Sequence, residues 1–225
     1  MHEFPDTETR LMIPGPVGQL QSIVTPGKQL DAENQETSRN GSDRVAIVCH
    51  PHSLMGGTMN NKVVHTMMRA FRDQGYGVVR FNFRGVEKSE GEYAEGVGES
   101  DDLLAVLAWV KQILPRAVIS LAGFSFGSFV SARTLALALE QGYDIEQLLL
   151  IAPAVENYPF EDLTEFGVPL RMIYGDQDEV VDAGSIASWY LSVTSAKDMV
   201  CLHGAGHFFH GRLTDLKEST EKLCF

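Results

Sequence analysis

Residues 118–127 read Val-Ile-Ser-Leu-Ala-Gly-Phe-Ser-Phe-Gly, an apolar run of strand length that ends in the pentapeptide Gly123-Phe124-Ser125-Phe126-Gly127. A G-x-S-x-G match alone is weak, since a chain of this length and composition contains one by chance about once in eight. Its setting decides the reading. The strand candidate runs straight into the pentapeptide, and a stripe of Phe129, Ala132, Leu135 and Leu139 at helical spacing begins just after it. Strand, sharp turn and helix in that order present a strained serine at the edge of a sheet. The glycines at 123 and 127 fit, because such a turn brings backbone so close that a Cβ would clash. The helix start behind Ser125 supplies unpaired N–H groups and the positive end of the dipole, both suited to a developing oxyanion. Ser125 therefore reads as a nucleophile rather than an ordinary helix cap.

Outward from this point, apolar runs of strand length alternate with helical stripes, the pattern of a parallel sheet covered on both faces. The strand candidates are 45–49, 77–83, 117–121, 148–152, 170–174 and 199–202. Val63, Met67, Ala70 and Phe71 form one helical face, and Leu103, Val106, Leu107 and Val110 another. Such stripes read as core packing, not as a cofactor site. Two short extended segments, 10–13 and 19–24, are joined by Pro-Gly-Pro-Val-Gly and predict an antiparallel hairpin at a sheet edge. Residues 26–43 are polar and without periodicity, so they and residues 1–8 are expected to be flexible parts of a single domain spanning 1–225.

A serine attacks well only when a base takes its proton, and the base needs a partner that fixes its tautomer. With a nucleophile on this kind of turn, the acid and then the base are expected on loops after later strands. Of the seven histidines, His207 is best placed, since it follows a Gly-rich turn off the last strand and precedes a helical segment. His203 fits a core histidine still in the strand, and His210 lies a helical turn further on. The 203, 207, 210 trio lacks the glutamate of H-E-x-x-H, so neither a metal nor a cofactor is expected. For the acid, Asp176 and Asp178 compete. Asp176 lies nearer the strand end, where it would cap or pair with backbone amides, and Asp178 has more room to reach a histidine.

Composition excludes several classes. The 225 residues are 44% hydrophobic, enough to bury a core without disulfides or metal. The formal net charge of −12 repels phosphate backbones and anionic headgroups, so neither nucleic acid nor membrane is expected as a partner. Cys49, Cys201 and Cys224 contain no CxxC pair and read as free thiols of a reducing compartment. The first residues have neither a basic nor an apolar leader region, and no apolar run reaches the roughly 18 residues of a membrane span, so a cytoplasmic location is expected. Oligomeric state is not legible from the sequence.

Beyond the pentapeptide, the chain carries His50-Pro51-His52 with Gly56-Gly57-Thr58-Met59-Asn60-Asn61-Lys62, then Phe81-Asn82-Phe83-Arg84-Gly85 with Ser89-Glu90-Gly91. Further on come Gly175-Asp176-Gln177-Asp178-Glu179-Val180-Val181 and Gly206-His207-Phe208-Phe209-His210-Gly211. Together these motifs resemble the small capless bacterial α/β-hydrolases, loosely grouped with dienelactone-hydrolase-like and carboxylesterase proteins. The resemblance runs from about residue 44 onward. It implies an α/β-hydrolase fold with a mostly parallel twisted sheet and helices on both faces. It maps the family's Ser, Asp and His onto Ser125, Asp178 and His207. It departs at Ser53, where proline is expected, and in the polar stretch before Val45. It also implies oxyanion donors from the backbone N–H of Phe126 and of His52, with Ser53 the alternative to His52. The imidazoles of His50 and His52 are expected to hold their loop through hydrogen bonds. Only about fifteen residues separate the strand ending near Ala152 from the next at Leu170, too few for a cap. Leu54, Met55, Tyr158, Phe160 and Phe208, with Phe126, are the candidate walls of a shallow apolar pocket. Arg84, at the carboxyl edge of the sheet, is expected to pair with Glu99, Asp101 or Asp102 rather than with a substrate carboxylate.

These readings converge on hydrolysis of small or short-acyl carboxylic esters through an acyl-enzyme. A thioesterase would use the same residues. Aspartate-nucleophile chemistries and strict dienelactone hydrolysis are disfavoured because Ser125 stands where those enzymes carry Asp or Cys. A non-catalytic binding protein on the same fold is the alternative from another class.

Overall fold

The computed structural model describes residues 3–29 and 43–225. The hairpin forms first, with β1 (Thr9–Gly15) antiparallel to β2 (Gly18–Thr25). Then come β3 (Arg44–Cys49), α1 (Lys62–Asp73), β4 (Gly77–Phe81), α2 (Val97–Ile113), β5 (Val118–Phe124), α3 (Phe126–Glu140) and β6 (Ile145–Ile151). The chain closes with β7 (Leu170–Gly175), α4 (Ala183–Ser192), β8 (Lys197–Leu202) and α5 (Leu213–Cys224). The eight strands lie in the order β1-β2-β4-β3-β5-β6-β7-β8. From β4 to β8 they are parallel, while β2 joins β4 antiparallel.

The period-2 rule explains the two layers. In β5, Ile119 and Leu121 point into one apolar cluster, and Ala122 and Phe124 into the other. In β3, Val45, Ile47 and Cys49 face the first cluster, and Ala46 and Val48 the second. The first cluster is closed by Leu103, Val106 and Leu107 of α2, Phe129 and Leu135 of α3, and Trp189 of α4. The second is closed by Val63, Met67 and Phe71 of α1 and Leu216 of α5. The helical stripes read from the sequence are thus the faces that cover the sheet.

Boundaries moved where side-chain polarity overrode strand propensity. The expected strand 77–83 stops at Phe81, because the Asn82 N–H turns to Gln21 O at 2.8 Å while its Oδ1 accepts from the Met59 N–H at 2.8 Å. The strand expected over 117–121 runs on to Phe124, inside the pentapeptide. Phe4 packs over Gly77, and Glu8 accepts from the Thr25 hydroxyl, so both of these residues touch the sheet. The Lys28 N–H likewise bonds Arg72 O. The remainder of the polar stretch, residues 30–42, lies outside the described residues.

Arg84 is resolved by its partner. Its guanidinium donates from Nε and Nη2 to the carboxylate of Asp102, and its backbone N–H adds a bond to Asp102 Oδ2 at 2.9 Å. Both residues are buried, so the pair ties the loop after β4 to α2 and commits this guanidinium to the fold rather than to a substrate. Removing one partner strands a buried charge. Arg84→Met should therefore lower unfolding stability by about 3–5 kcal/mol, read as a fall in the urea midpoint. A loss below about 1 kcal/mol would show that the pair is not what holds this loop.

Candidate active site

The chain order reverses beside β3, because β4 lies on one side of it and β5 on the other. In open parallel sheets the crevice at such a point, outside the strands' carboxyl ends, is where ligands bind. Cys49 is in register with Gly123, so the loops that follow β3 and β5 emerge side by side there.

Ser125 stands at the head of the β5 loop with φ 55° and ψ −115°. A positive φ at a non-glycine residue costs about 1–3 kcal/mol and persists only where the surroundings enforce it. Here the Ser125 N–H is tied to Ile151 O and the Ser128 N–H to Ser125 O, both at 2.9 Å. The two flanking glycines make the turn possible. A Cβ on Gly123 would lie 2.1 Å from Gly127 O, and one on Gly127 would lie 2.5 Å from Cys49 O. The second contact also presses the serine turn against the His50 loop.

His207 Nε2 lies 2.9 Å from Ser125 Oγ, and its Nδ1 lies 2.8 Å from Asp178 Oδ2. The bonding assigns the tautomer, with Nδ1–H donating to the carboxylate and Nε2 free to accept the serine proton. The imidazole is 2% exposed and packs on Phe124 and Phe208, each with ring centroids 5.1 Å away. Asp178 Oδ1 accepts from the N–H groups of Val180 and Val181 at 2.8 and 2.9 Å. Burial pushes the Asp178 carboxyl up, but the His207 N–H, the His207 charge and those two amides outweigh it and hold it below its ordinary value. The carboxylate thus stays ionised beside the ring that it orients.

The other acid and histidine candidates separate cleanly. Asp176 Oδ2 meets His203 Nδ1 at 2.8 Å, and Asp176 Oδ1 accepts from the Gly204 N–H at 2.6 Å. Its carboxylate therefore serves a different histidine from that of Asp178. The expectation of a core His203 is corrected: β8 ends at Leu202, and the His203 side chain is 88% exposed. His210 is exposed near Phe208. Glu179, which sequence reasoning missed, accepts from the His207 backbone N–H at 3.0 Å and so pins the His207 loop. Nothing in the spacing marks this second carboxylate beside Asp178.

Across the crevice, the His50 ring bridges two loops. Its Nδ1 donates to Pro51 O at 2.6 Å, and its Nε2 accepts from the Phe83 N–H at 3.0 Å. His52 Nδ1 accepts from the Leu54 N–H, and the Met55 and Gly57 N–H groups close on His52 O. Both rings brace the loop, and His50 has no nitrogen left for proton transfer. The candidate oxyanion amides fall on the elements that face this crevice. Phe126 is the first residue of α3, whose N–H has no helical acceptor. His52 and Ser53 open the short 3₁₀ turn Ser53–Met55.

The apolar side of the site differs in part from the expected one. Phe126, Tyr158 and His52 come together with Tyr93, with ring centroids 5.1 Å apart for Phe126–Tyr158 and 4.9 Å for His52–Tyr93. Tyr93 lies in a Gly- and Glu-rich loop with no periodicity to mark it. Phe160 is corrected as a pocket wall. It packs against Phe129 and Trp189, with ring centroids 5.7 and 4.9 Å away, and its carbonyl accepts from Trp189 Nε1. Leu54 and Met55 are 70% and 84% exposed, because the turn ending at Gly56 (φ 79°) carries them outward. Phe208 lines a shallow cleft with Asn60, Lys62, Val63 and His210.

Burial drives His50 down to about 4, which makes it a pH-dependent brace. The unfolded chain takes up that proton near pH 6.5, whereas the folded one does so only near pH 4. Stability therefore falls as pH drops through that window, by up to about 3 kcal/mol. The decline in urea midpoint across this window should be shallower in His50→Gln than in the wild type. Parallel declines would show that His50 does not contribute.

A strained serine turn, a buried imidazole and a carboxylate, hydrogen-bonded in line on three loops at one end of a parallel sheet, are the arrangement of the serine hydrolases on the α/β-hydrolase fold. The family model described as "alpha/beta hydrolase fold" matches residues 47–142. An α/β serine hydrolase homologue from Coxiella burnetii is 42% identical, with a TM-score of 0.86, covering 98% of this chain and 99% of that one. A lidless α/β serine hydrolase from Xanthomonas campestris is 38% identical, again with a TM-score of 0.86, covering 98% and 94%. Est1E of Butyrivibrio proteoclasticus, solved with ferulic acid bound, shares the fold at 17% identity and a TM-score of 0.77, covering 95% and 97%. The chain belongs to the α/β-hydrolase family, among the serine hydrolases that lack a lid. The 18 residues between β6 and β7 hold no cap. No helix among the described residues is long and apolar enough to cross a membrane.

Proposed function

We propose that the protein hydrolyses small or short-acyl carboxylic esters through an acyl-enzyme on Ser125. The observation that carries this reading is the unbroken hydrogen-bonded line Ser125–His207–Asp178 behind a strained serine turn. Ser125 Oγ attacks the ester carbonyl as its proton passes to His207 Nε2, and Asp178 stabilises the imidazolium that forms. The backbone N–H of Phe126 and that of His52, or Ser53 in its place, hold the oxyanion. His207 then returns the proton to the departing alkoxide. A water attacks the acyl-enzyme by the same route in reverse, releasing the acid and restoring Ser125. The aromatic rings of Phe126, Tyr93 and Tyr158 receive the acyl group, with Leu54 and Met55 at the rim and Phe208 beside the base.

A fluorophosphonate probe should label the wild type and leave Ser125→Ala unlabelled. With p-nitrophenyl esters, kcat/KM should peak between acetyl and hexanoyl, with no jump when substrate passes from monomers to micelles. Equal labelling of both proteins would refute the nucleophile. A preference for long-chain triglyceride emulsions would refute the substrate class.

A further inference from the structure

The pair formed by Asp176 and His203 does not stand alone. The Cys201 thiol, near the carboxyl end of β8, joins it, so that one carboxylate oxygen, one sulfur and one imidazole nitrogen all lie within 4.8 Å of one another. We propose that Asp176, Cys201 and His203 form a binding site for a divalent transition ion of the zinc type at the carboxyl ends of β7 and β8.

Thiolate, imidazole and carboxylate together are the donor set that zinc-type ions take and that calcium and magnesium do not. A tetrahedral ion with bonds of about 2.0–2.3 Å holds its ligand atoms roughly 3.3–3.7 Å apart. Asp176 Oδ2 and His203 Nδ1, now 2.8 Å apart, need to open by about half an ångström, and the sulfur needs to close by up to about one. Asp176 is also held as a metal-ligating carboxylate is usually held, with one oxygen fixed by the Gly204 N–H at 2.6 Å and the other turned into the cluster. Solvent reaches the site across the 88% exposed His203 side chain, which leaves a fourth position for water. The neighbouring cation, Arg212, is held by Asp215 and by the His203 carbonyl.

An exposed Asp–His pair by itself contributes little to stability. Cys201 is half-buried on β8, paired with Tyr174 of β7 and packed against the first apolar cluster, so the sheet fixes its sulfur beside that pair. In the sequence, the histidines at 203, 207 and 210 were the only visible grouping of metal ligands. The set that assembles instead draws Asp176 from the loop after β7, and Cys201 and His203 from the end of β8 some 25 residues on. Asp178 lies two residues from one ligand and His207 four from another, so a bound ion would brace both loops that carry the proposed acid and base.

Binding is tested with metal alone, on the full chain, without reference to turnover. Co2+ added to the reduced, metal-free protein should give one equivalent of the visible bands of a tetrahedral site. A near-ultraviolet thiolate-to-cobalt band should accompany them, and Zn2+ should displace both. Cys201→Ser should abolish the near-ultraviolet band, and His203→Ala and Asp176→Asn should each weaken Co2+ binding by at least about tenfold. Cys49 is fully buried, and Cys224→Ser, which removes the other half-buried thiol, should leave the signal intact. Melting temperatures in chelator should match the wild type for all three ligand variants, and added Zn2+ should raise that of the wild type but none of theirs. The proposal is overturned by failure to bind at about 100 times a micromolar Kd, by cobalt bands that survive Cys201→Ser, or by affinity unchanged in both other variants.

Discussion

Ser125→Ala should lower kcat/KM for p-nitrophenyl acetate by about 10⁵–10⁶-fold while leaving the urea midpoint unchanged or slightly raised. In the proposed mechanism Oγ is the atom that forms the bond to the acyl group, and no neighbouring hydroxyl would take its place. The nearest serine in the chain, Ser128, is buried and donates to the carbonyl of Gly123. The turn itself stays formed, because it is held by backbone bonds to Ile151 and Ser128 and by the two glycine contacts, none of which involves Oγ. Residual catalysis of about 10³-fold over water would persist through the oxyanion amides and the pocket. Turnover within about tenfold of wild type would remove Ser125 from the mechanism.

Asp178→Asn should reduce kcat by about 10⁴-fold with little change in KM, and Asp176→Asn should leave both nearly unaltered. An amide at 178 presents an N–H to His207 Nδ1 or accepts from it only weakly. The ring then favours the tautomer with its proton on Nε2, and that nitrogen can no longer take the serine proton. The Val180 and Val181 amides still find the remaining carbonyl oxygen of the substituted side chain, so the loop keeps its shape and the loss is one of protonation state rather than of folding. Asp176 bonds His203, which does not approach Ser125 in the hydrogen-bond network. If Asp176→Asn were the more damaging change, the acid assignment would fall and the nucleophile assignment would stand.

Local chemistry in the sequence determined the layered α/β architecture and its landmarks. The apolar runs at 45–49 and 117–121 specified strands buried on both faces, because in a parallel sheet both sides of the pleat meet helices. The strand, glycine-flanked serine and helix stripe specified the turn at Ser125, because that order leaves the serine a positive φ as its way around the corner. The Pro-Gly-Pro-Val-Gly break specified the hairpin. Each of these depends on residues within about a dozen positions of one another, and periodicity and sterics act at that range.

Tertiary structure decided which carboxylate meets which histidine. Asp176 and Asp178 are two residues apart on one loop, and His203 and His207 are four apart on another. Spacing alone leaves the pairing open, and it is settled where the Gln177 N–H bonds Ala205 O at 3.0 Å and sets the two loops in register. The same holds for the guanidinium of Arg84, which had three acids within reach in sequence and took Asp102 because α2 brings that carboxylate beneath the β4 loop. Tyr93 joined the site, Phe160 left it for the core beside Trp189, and Cys201 came next to Asp176 and His203, all through contacts spanning loops and helices distant in the chain. Contacts of that range leave no trace in local periodicity, because they are fixed by how the whole sheet twists and how its loops pack at one end.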